Sequence, residues 1–299
     1  RYYLAILREE IVAESLYRKK IGGKKPARIF EREGEEIVLG PSISKSNINT
    51  DVNAKMPYLS FLAINYNLPV ISEVQEWFES SIPFSQAIEI KGVNDSMSLD
   101  VVTEIEDISF SMLSEKEAFK EKILCFLNDM GIDIDDYRLD SEEKQLYLKR
   151  TIHGKGYELP FHYESDGTKK LIAALPVILL AMYEGRLVII DELDAKLHPK
   201  LLRYVISLFK NPGINMKGAQ LLFTSHDMST MKNTVFRRDE IWFAAENQEH
   251  GSELYSLYEI RREDNERVNY TAAYDKQYLE GRYGADPYLQ NMLNGGDWK

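Results

Sequence analysis

The sequence predicts an α/β protein built on a mainly parallel sheet. From about residue 161, helix-period segments alternate with short apolar runs, "LVII" at 187–190 and "LLF" at 221–223. Such alternation implies a parallel sheet with helices on its faces. LVII runs straight into Asp191 and Glu192, and LLF into Thr224, Ser225 and His226. Polar chemistry therefore gathers at the carboxyl ends of strands, where open α/β sheets bind ligands.

The elements follow in order. The first forty residues read as a β-meander: "YLAILREEIVAESLYRKK" alternates apolar and polar positions, with turns at "GGKK" and Gly34. "IGGKKPA" has the Gly and Lys of a phosphate loop but not its spacing, so a hairpin turn is the reading there. Residues 51–160 are expected to form a mainly helical insertion. "YLSFLAINYNLPVISEVQEWFESS" is helix-like and broken at Pro69. "SEKEAFKEKILCFLNDMG" reads as a helix with Ser114 and Glu117 as a capping box, Phe119, Ile123 and Phe126 on one face, and Gly131 as its stop. Cys125, the single cysteine, is read as a core thiol of that helix. Asp133, Asp135 and Asp136 lack the Gly and Glu of a calcium loop, so the acidic run is read as a solvated connection. From 161 to 299 come a helix at 168–184, the strand at 187–190, a helix at about 199–209, and strands in "QLLFTSHD", "DEIWFAAE" and "SELYSLYEI".

Three segments carry candidate chemistry. At the end of 187–190, Asp191 can hold Mg²⁺, which favours hard oxygen ligands, and Glu192 can polarise an attacking water. The bland alternative is two acids capping the helix that follows. "ESDGTKK", Glu164 to Lys170, opens a helix. Ser165 can cap it, Gly167 lets a ligand approach the backbone, and Lys169 and Lys170 add positive charge where free amides bind phosphate. An ordinary capped helix start explains it equally well. His226 can donate a hydrogen bond to a phosphate or its attacking water, or be a satisfied surface histidine. His198, just before Pro199, is read as a helix cap. Arg282 in "GRYGA" is assigned to packing rather than phosphate contact, and His153 and His162 receive no role.

Taken together and in this order, the segments resemble the motifs of ABC-type ATPases. "ESDGTKK" is similar to their signature motif, "LVIIDE" to the Walker B strand, "LDAKLHP" to the D-loop and "TSHD" to the H-switch. The variant resembles prokaryotic AAA/ABC-type ATP-binding proteins of abortive-infection and restriction-linked systems, relatives of the overcoming-lysogenization-defect nucleases and SMC-type heads. "YLEGRYGADPYL" is also similar to that group. The resemblance is close over 161–299 and looser over 1–160. It implies a P-loop NTPase head: a β-meander at 1–50, an insertion at 51–160, and a C-terminal lobe at 161–299. It implies ATP and Mg²⁺ as cofactors, Asp191 on the metal, Glu192 as catalytic base and His226 as switch. Ser165, Gly167, Thr168, Lys169 and Asp194 would then meet nucleotide across a homodimeric ATP sandwich that switches an effector nuclease or toxin against phage. No loop of the form G-x-x-x-x-G-K-[ST] occurs in the 299 residues, nor a Q-loop that can be placed. In the resembled group that loop precedes the β-meander, so the resemblance implies that it lies upstream of Arg1; the alternative is a degenerate protein that does not bind ATP by itself.

Composition narrows the alternatives. With 299 residues, 44% of them hydrophobic, the chain can bury a core in one large or two ordinary domains. A net charge of −11 argues against non-specific nucleic-acid binding, although a local basic patch remains compatible with it. The longest apolar run, Leu171 to Met182, is too short to span a bilayer and contains Pro176. A single cysteine excludes an internal disulfide framework and fits the cytoplasm. The competing function is a non-catalytic interaction module on a degenerate ATPase fold. A nuclease would need a further acidic domain beyond residue 299, and "EIK" at Glu89 to Lys91 is too common a tripeptide to supply one.

Overall fold

The computed structural model describes residues 1–20, 22–43, 47–84, 116–140, 145–247, 250–261 and 266–285. They divide into two compact units, Arg1–Ser81 and Ile82–Lys299.

In the first unit, β1 (Tyr2–Leu7), β2 (Glu10–Arg18), β3 (Ala27–Glu33) and β4 (Glu36–Leu39) form an antiparallel meander in chain order. Leu16, Ile29 and Phe30 of the meander share a core with Tyr58, Leu59 and Leu62 of α1 (Tyr58–Asn65) and Ile71 of α2 (Pro69–Ser80). The buried Glu14 carboxylate accepts from the Tyr58 and Leu59 amides at 2.6 and 2.9 Å. These are donors of the first turn of α1, which has no earlier carbonyl to serve them. Pro69 opens α2, a place where its missing N–H costs nothing.

The second unit is organised around β9 (Leu187–Ile190). It pairs in parallel with β10 (Gln220–Phe223) on one side and β5 (Ile82–Phe84) on the other. Phe223 and Phe84 both stand opposite Ile190, so the strands end level. The sequence reading lacked β5. Three residues are too few to show a period, and Pro83 is admissible because β5 is an edge strand. The helix α4 (Asp166–Glu184) buries a continuous run from Leu171 to Leu179, and Gly185 closes it in the left-handed conformation. Leu202, Val205, Ile206 and Leu208 of α5 (Pro199–Lys210) enter the same core.

Between these elements the structure departs from the mainly helical expectation. The helix α3 (Lys116–Asp129) is present, but β6 (Asp136–Asp140), inside the expected acidic connection, forms an antiparallel sheet with β7 (Gln145–Ile152) and β8 (Lys155–Pro160), which the sequence reading lacked. Leu146 and Leu148 alternate inward on β7, and the surrounding charges masked that short period. On α3, Phe119, Ile123 and Leu127 are buried, while Cys125 is exposed, against its reading as a core thiol. Two residues from both 123 and 127, it lies about 200° round the helix from them. Ser114 of the expected capping box and the tripeptide at 89–91 fall outside the described residues.

β11 (Trp242–Glu246) and β12 (Ser252–Ser256) form an antiparallel hairpin of their own, because their short connection cannot make a parallel crossover. With Tyr274 of α6 (Tyr274–Leu279), Leu257 and Tyr283, Phe243 builds a third, smaller core. Arg282 is solvent-facing and pairs with Glu280 at 2.7 Å, so it does not pack as expected. No helix among the described residues is long and apolar enough to cross a membrane.

Candidate nucleotide site

Four segments of the second unit converge at the carboxyl ends of β9 and β10. Beyond Ile190 the chain turns sharply through 191–196, and Glu192 and Lys196 adopt left-handed φ values of 46° and 63°. Residues with a Cβ rarely sit there unless their surroundings hold them. Thr224, first residue after β10, supplies part of that hold. Its hydroxyl donates to Asp191 Oδ1 and accepts from the Glu192 amide at 2.7 Å. The Leu193 amide donates to the Thr224 carbonyl at 3.0 Å. The two acids are thus oriented by the neighbouring strand, as the parallel pairing requires.

His226 lies across this turn. Its Nε2 is 4.0 Å from Glu192 Oε1, and its amide donates to Asp194 Oδ2 at 3.2 Å. The imidazole is 87% exposed, free to meet a ligand. Asp194 Oδ1 is buried with no hydrogen-bond partner among the described residues.

The fourth segment is the start of α4. Ser165 is its N-cap and accepts from the Thr168 amide at 3.2 Å, with Thr168 Oγ1 at 2.9 Å. Asp166 pairs with Lys196 at 3.1 Å and with Lys169 at 3.7 Å. The Lys196 bond, the largest cause, holds the Asp166 carboxyl below its usual range. Gly167 faces the Lys196 carbonyl so closely that a Cβ there would stand 2.6 Å from it. The close approach anticipated for a ligand is made in this structure by the backbone of the 191–196 turn. Behind the turn, Arg150 of β7 makes a two-pronged ion pair with Glu164, whose side chain is only 9% exposed. That pair raises the Arg150 pKa and ties the segment that opens α4 to the sheet of β6, β7 and β8.

The sequence reading named two contributors without the role that the structure gives them. Lys170, not Lys169, reaches the turn: its Nζ donates to the Glu192 and Ala195 carbonyls at 2.6 and 3.1 Å. Burial lowers its pKa to about 8, against the opposing pull of Asp194 and Glu192. Thr224 was seen only as a strand end. A helix-phase argument separates Lys169 from Lys170 only once the position of the 191–196 turn is known. The parallel neighbour of Asp191 was a signal already present for Thr224. His198 caps α5 as expected, accepting from the Lys200 amide at 3.2 Å.

Among the described residues no three His, Cys, Asp or Glu side chains cluster as a metal site. Mg²⁺ needs no such cluster, because it is commonly held by one or two carboxylates together with phosphates and water. Asp191, exposed at a strand end, fits that role.

The family described as "AAA domain, putative AbiEii toxin, Type IV TA system" matches residues 40–232, more than half of the chain. The chain belongs to this family. The match covers both acids, the signature-like helix start and His226, so the whole cluster lies within the AAA domain. The domain has the mixed α/β content of its family, with helices and several sheets. No curated protein matches the chain.

Proposed function

We propose that this AAA domain is the ATP-hydrolysing subunit of an abortive-infection system. Its arrangement is that of an ABC-type head related to SMC-type heads and the overcoming-lysogenization-defect group. The observation that carries the reading is the convergence of Asp191, Glu192 and His226 beside a capped helix start that is locked to the D-loop. Membership of the AbiEii-type AAA family supports nucleotide and Mg²⁺ as its ligands.

In this reading Asp191 would hold Mg²⁺, which would supply charge neutralisation for the transferred phosphoryl group. Glu192 accepts a proton from water as the water oxygen attacks the γ-phosphorus and the bond to the β-bridging oxygen breaks, leaving ADP and phosphate. His226 donates to a γ-phosphate oxygen. Ser165, Gly167, Thr168 and Lys169 present amides, hydroxyls and charge to a nucleotide held by a second subunit, and Asp194 faces the same interface. The triphosphate also requires a phosphate-cradling loop, and no G-x-x-x-x-G-K-[ST] occurs in the 299 residues. ATP binding then closes a homodimer and hydrolysis opens it, switching a nuclease or toxin partner in the cytoplasm.

Mixed subunits test the composite site. Ser165→Arg and Glu192→Gln each inactivate a full-length homodimer. In a mixed dimer one site keeps both an intact Glu192 and an intact Ser165. Half the dimers in an equimolar mixture are mixed, with one of two sites intact, so about a quarter of wild-type turnover returns. Absence of any recovery, with dimers exchanging freely, would contradict a site shared between subunits. Full activity of either single variant would remove that residue from the site, and absence of ATP turnover in the wild type would favour the non-catalytic module.

A further inference from the structure

Glu192 is asked to do exacting chemistry from a backbone position that disfavours it. Its φ of 46° and that of Lys196, 63°, bracket a turn in which two residues with side chains are left-handed. Such conformations persist only where neighbours over-determine them. Most of the bonds inside the turn are local: the Ala195 amide to the Glu192 carbonyl at 2.9 Å and the Leu197 amide to the Asp194 carbonyl at 2.9 Å. Thr224 fixes the peptide before Glu192. From the helix side, one side chain holds the peptides next to both left-handed residues. Lys170 Nζ donates to the Glu192 carbonyl, which sets the ψ of Glu192, and to the Ala195 carbonyl, whose peptide leads into Lys196.

We propose that Lys170 is the positioning residue of the catalytic base, holding the strained 192–196 turn in register with the signature helix. The inference rests on the ATPase reading above. Two further contacts make the junction a unit rather than a chance approach. Gly167 admits the Lys196 carbonyl. Asp166 pairs with Lys196 on the solvent side. Lys170 enters from the helix flank on a side chain only partly exposed to solvent. A lysine suits the role because its ammonium offers three donors and can serve two carbonyls at once. Lys170 touches no reacting atom; it acts through the direction of the Glu192 side chain.

The experiment compares Lys170→Met and Lys170→Arg with wild type in the full-length protein, by two readouts. Amide hydrogen exchange without nucleotide reports the turn itself. Lys170→Met is expected to speed exchange at Leu193, Ala195 and Leu197 while the interior of α4 keeps its protection, which separates a loosened turn from a failure to fold. Steady-state ATP hydrolysis reports the base. Lys170→Met is expected to lower kcat by about 10- to 100-fold with KM within about twofold, the scale on which misplaced catalytic groups lose rate. Lys170→Arg, which keeps donors to both carbonyls, is expected to recover most of that loss. Unchanged exchange in Lys170→Met overturns the hold on the turn. Faster exchange with unchanged kcat, or a loss that Arg does not relieve, overturns positioning of the base. Faster exchange in a protein whose wild type neither binds nor hydrolyses ATP rejects the ATPase reading and, with it, the role for the base.

Discussion

Gly167 shows how a single hydrogen in place of a methyl group decides the geometry of the site. An alanine Cβ would stand 2.6 Å from the Lys196 carbonyl, a backbone atom that can yield only if the whole turn moves. Gly167→Ala is therefore expected to cost about 1–3 kcal/mol of stability, read as a lowered thermal midpoint, and to depress ATP turnover further than that loss explains. An unchanged midpoint would mean that the turn is looser than these contacts imply. At this scale the sequence was legible where chemistry is written in residue type. Asp191, Glu192 and His226 stand at strand ends, and Ser165 and His198 cap helices as their types predict. It was illegible where the answer depends on direction. Lys169 and Lys170 look alike on paper, and only the position of the turn selects Lys170. Gly167 was correctly marked as a point of close approach, but what approaches it is the chain itself.

Among the elements, β6 is the least obvious from sequence and the most exposed to pH. Asp136 opens the strand and pairs with Lys120 of α3, and with Lys149 of β7 at 3.3 Å. The Lys120 bond, first among the causes, lowers its pKa below 3.8, aided by Lys149 and the Tyr137 amide. A carboxyl depressed on folding contributes stability that is fully present above its unfolded value. That contribution is lost as pH falls through the lower folded value. The Asp136→Asn protein is thus expected to be less stable than wild type at pH 7, and indistinguishable from it once pH has fallen below the depressed folded value. The difference at pH 7 is expected to be about half a kcal/mol, because solvent screens a partly exposed pair. Urea melts at the two pH values check it, and a difference that persists in acid would assign the loss to something other than charge. The strands that escaped sequence reading share a cause. β5 has three residues, the alternation of Tyr137 and Leu139 in β6 spans only five, and in β7 it stops at Leu148 before Lys149 and Arg150, so each pattern is too short to stand out. The long apolar helix α4 and the buried strand β9 were legible because both of their patterns are unbroken.

For the whole molecule, AAA family membership and the cluster at the ends of β9 and β10 support one proposal, that this chain contributes a catalytic carboxylate to ATP hydrolysis. The coarse α/β architecture and the order of the motifs were readable because they depend on local sequence. The division at Ser81 and the antiparallel sheet at 136–160 depend on tertiary pairing and were not. The claim is tested most directly by one substitution in the full-length protein, Glu192→Gln, with turnover and dimer lifetime measured together in ATP and Mg²⁺. The account predicts that turnover falls by at least about a hundredfold, as for loss of a general base, while ATP binding survives and a long-lived dimer accumulates. Wild-type turnover and wild-type dimer lifetime in Glu192→Gln would contradict it.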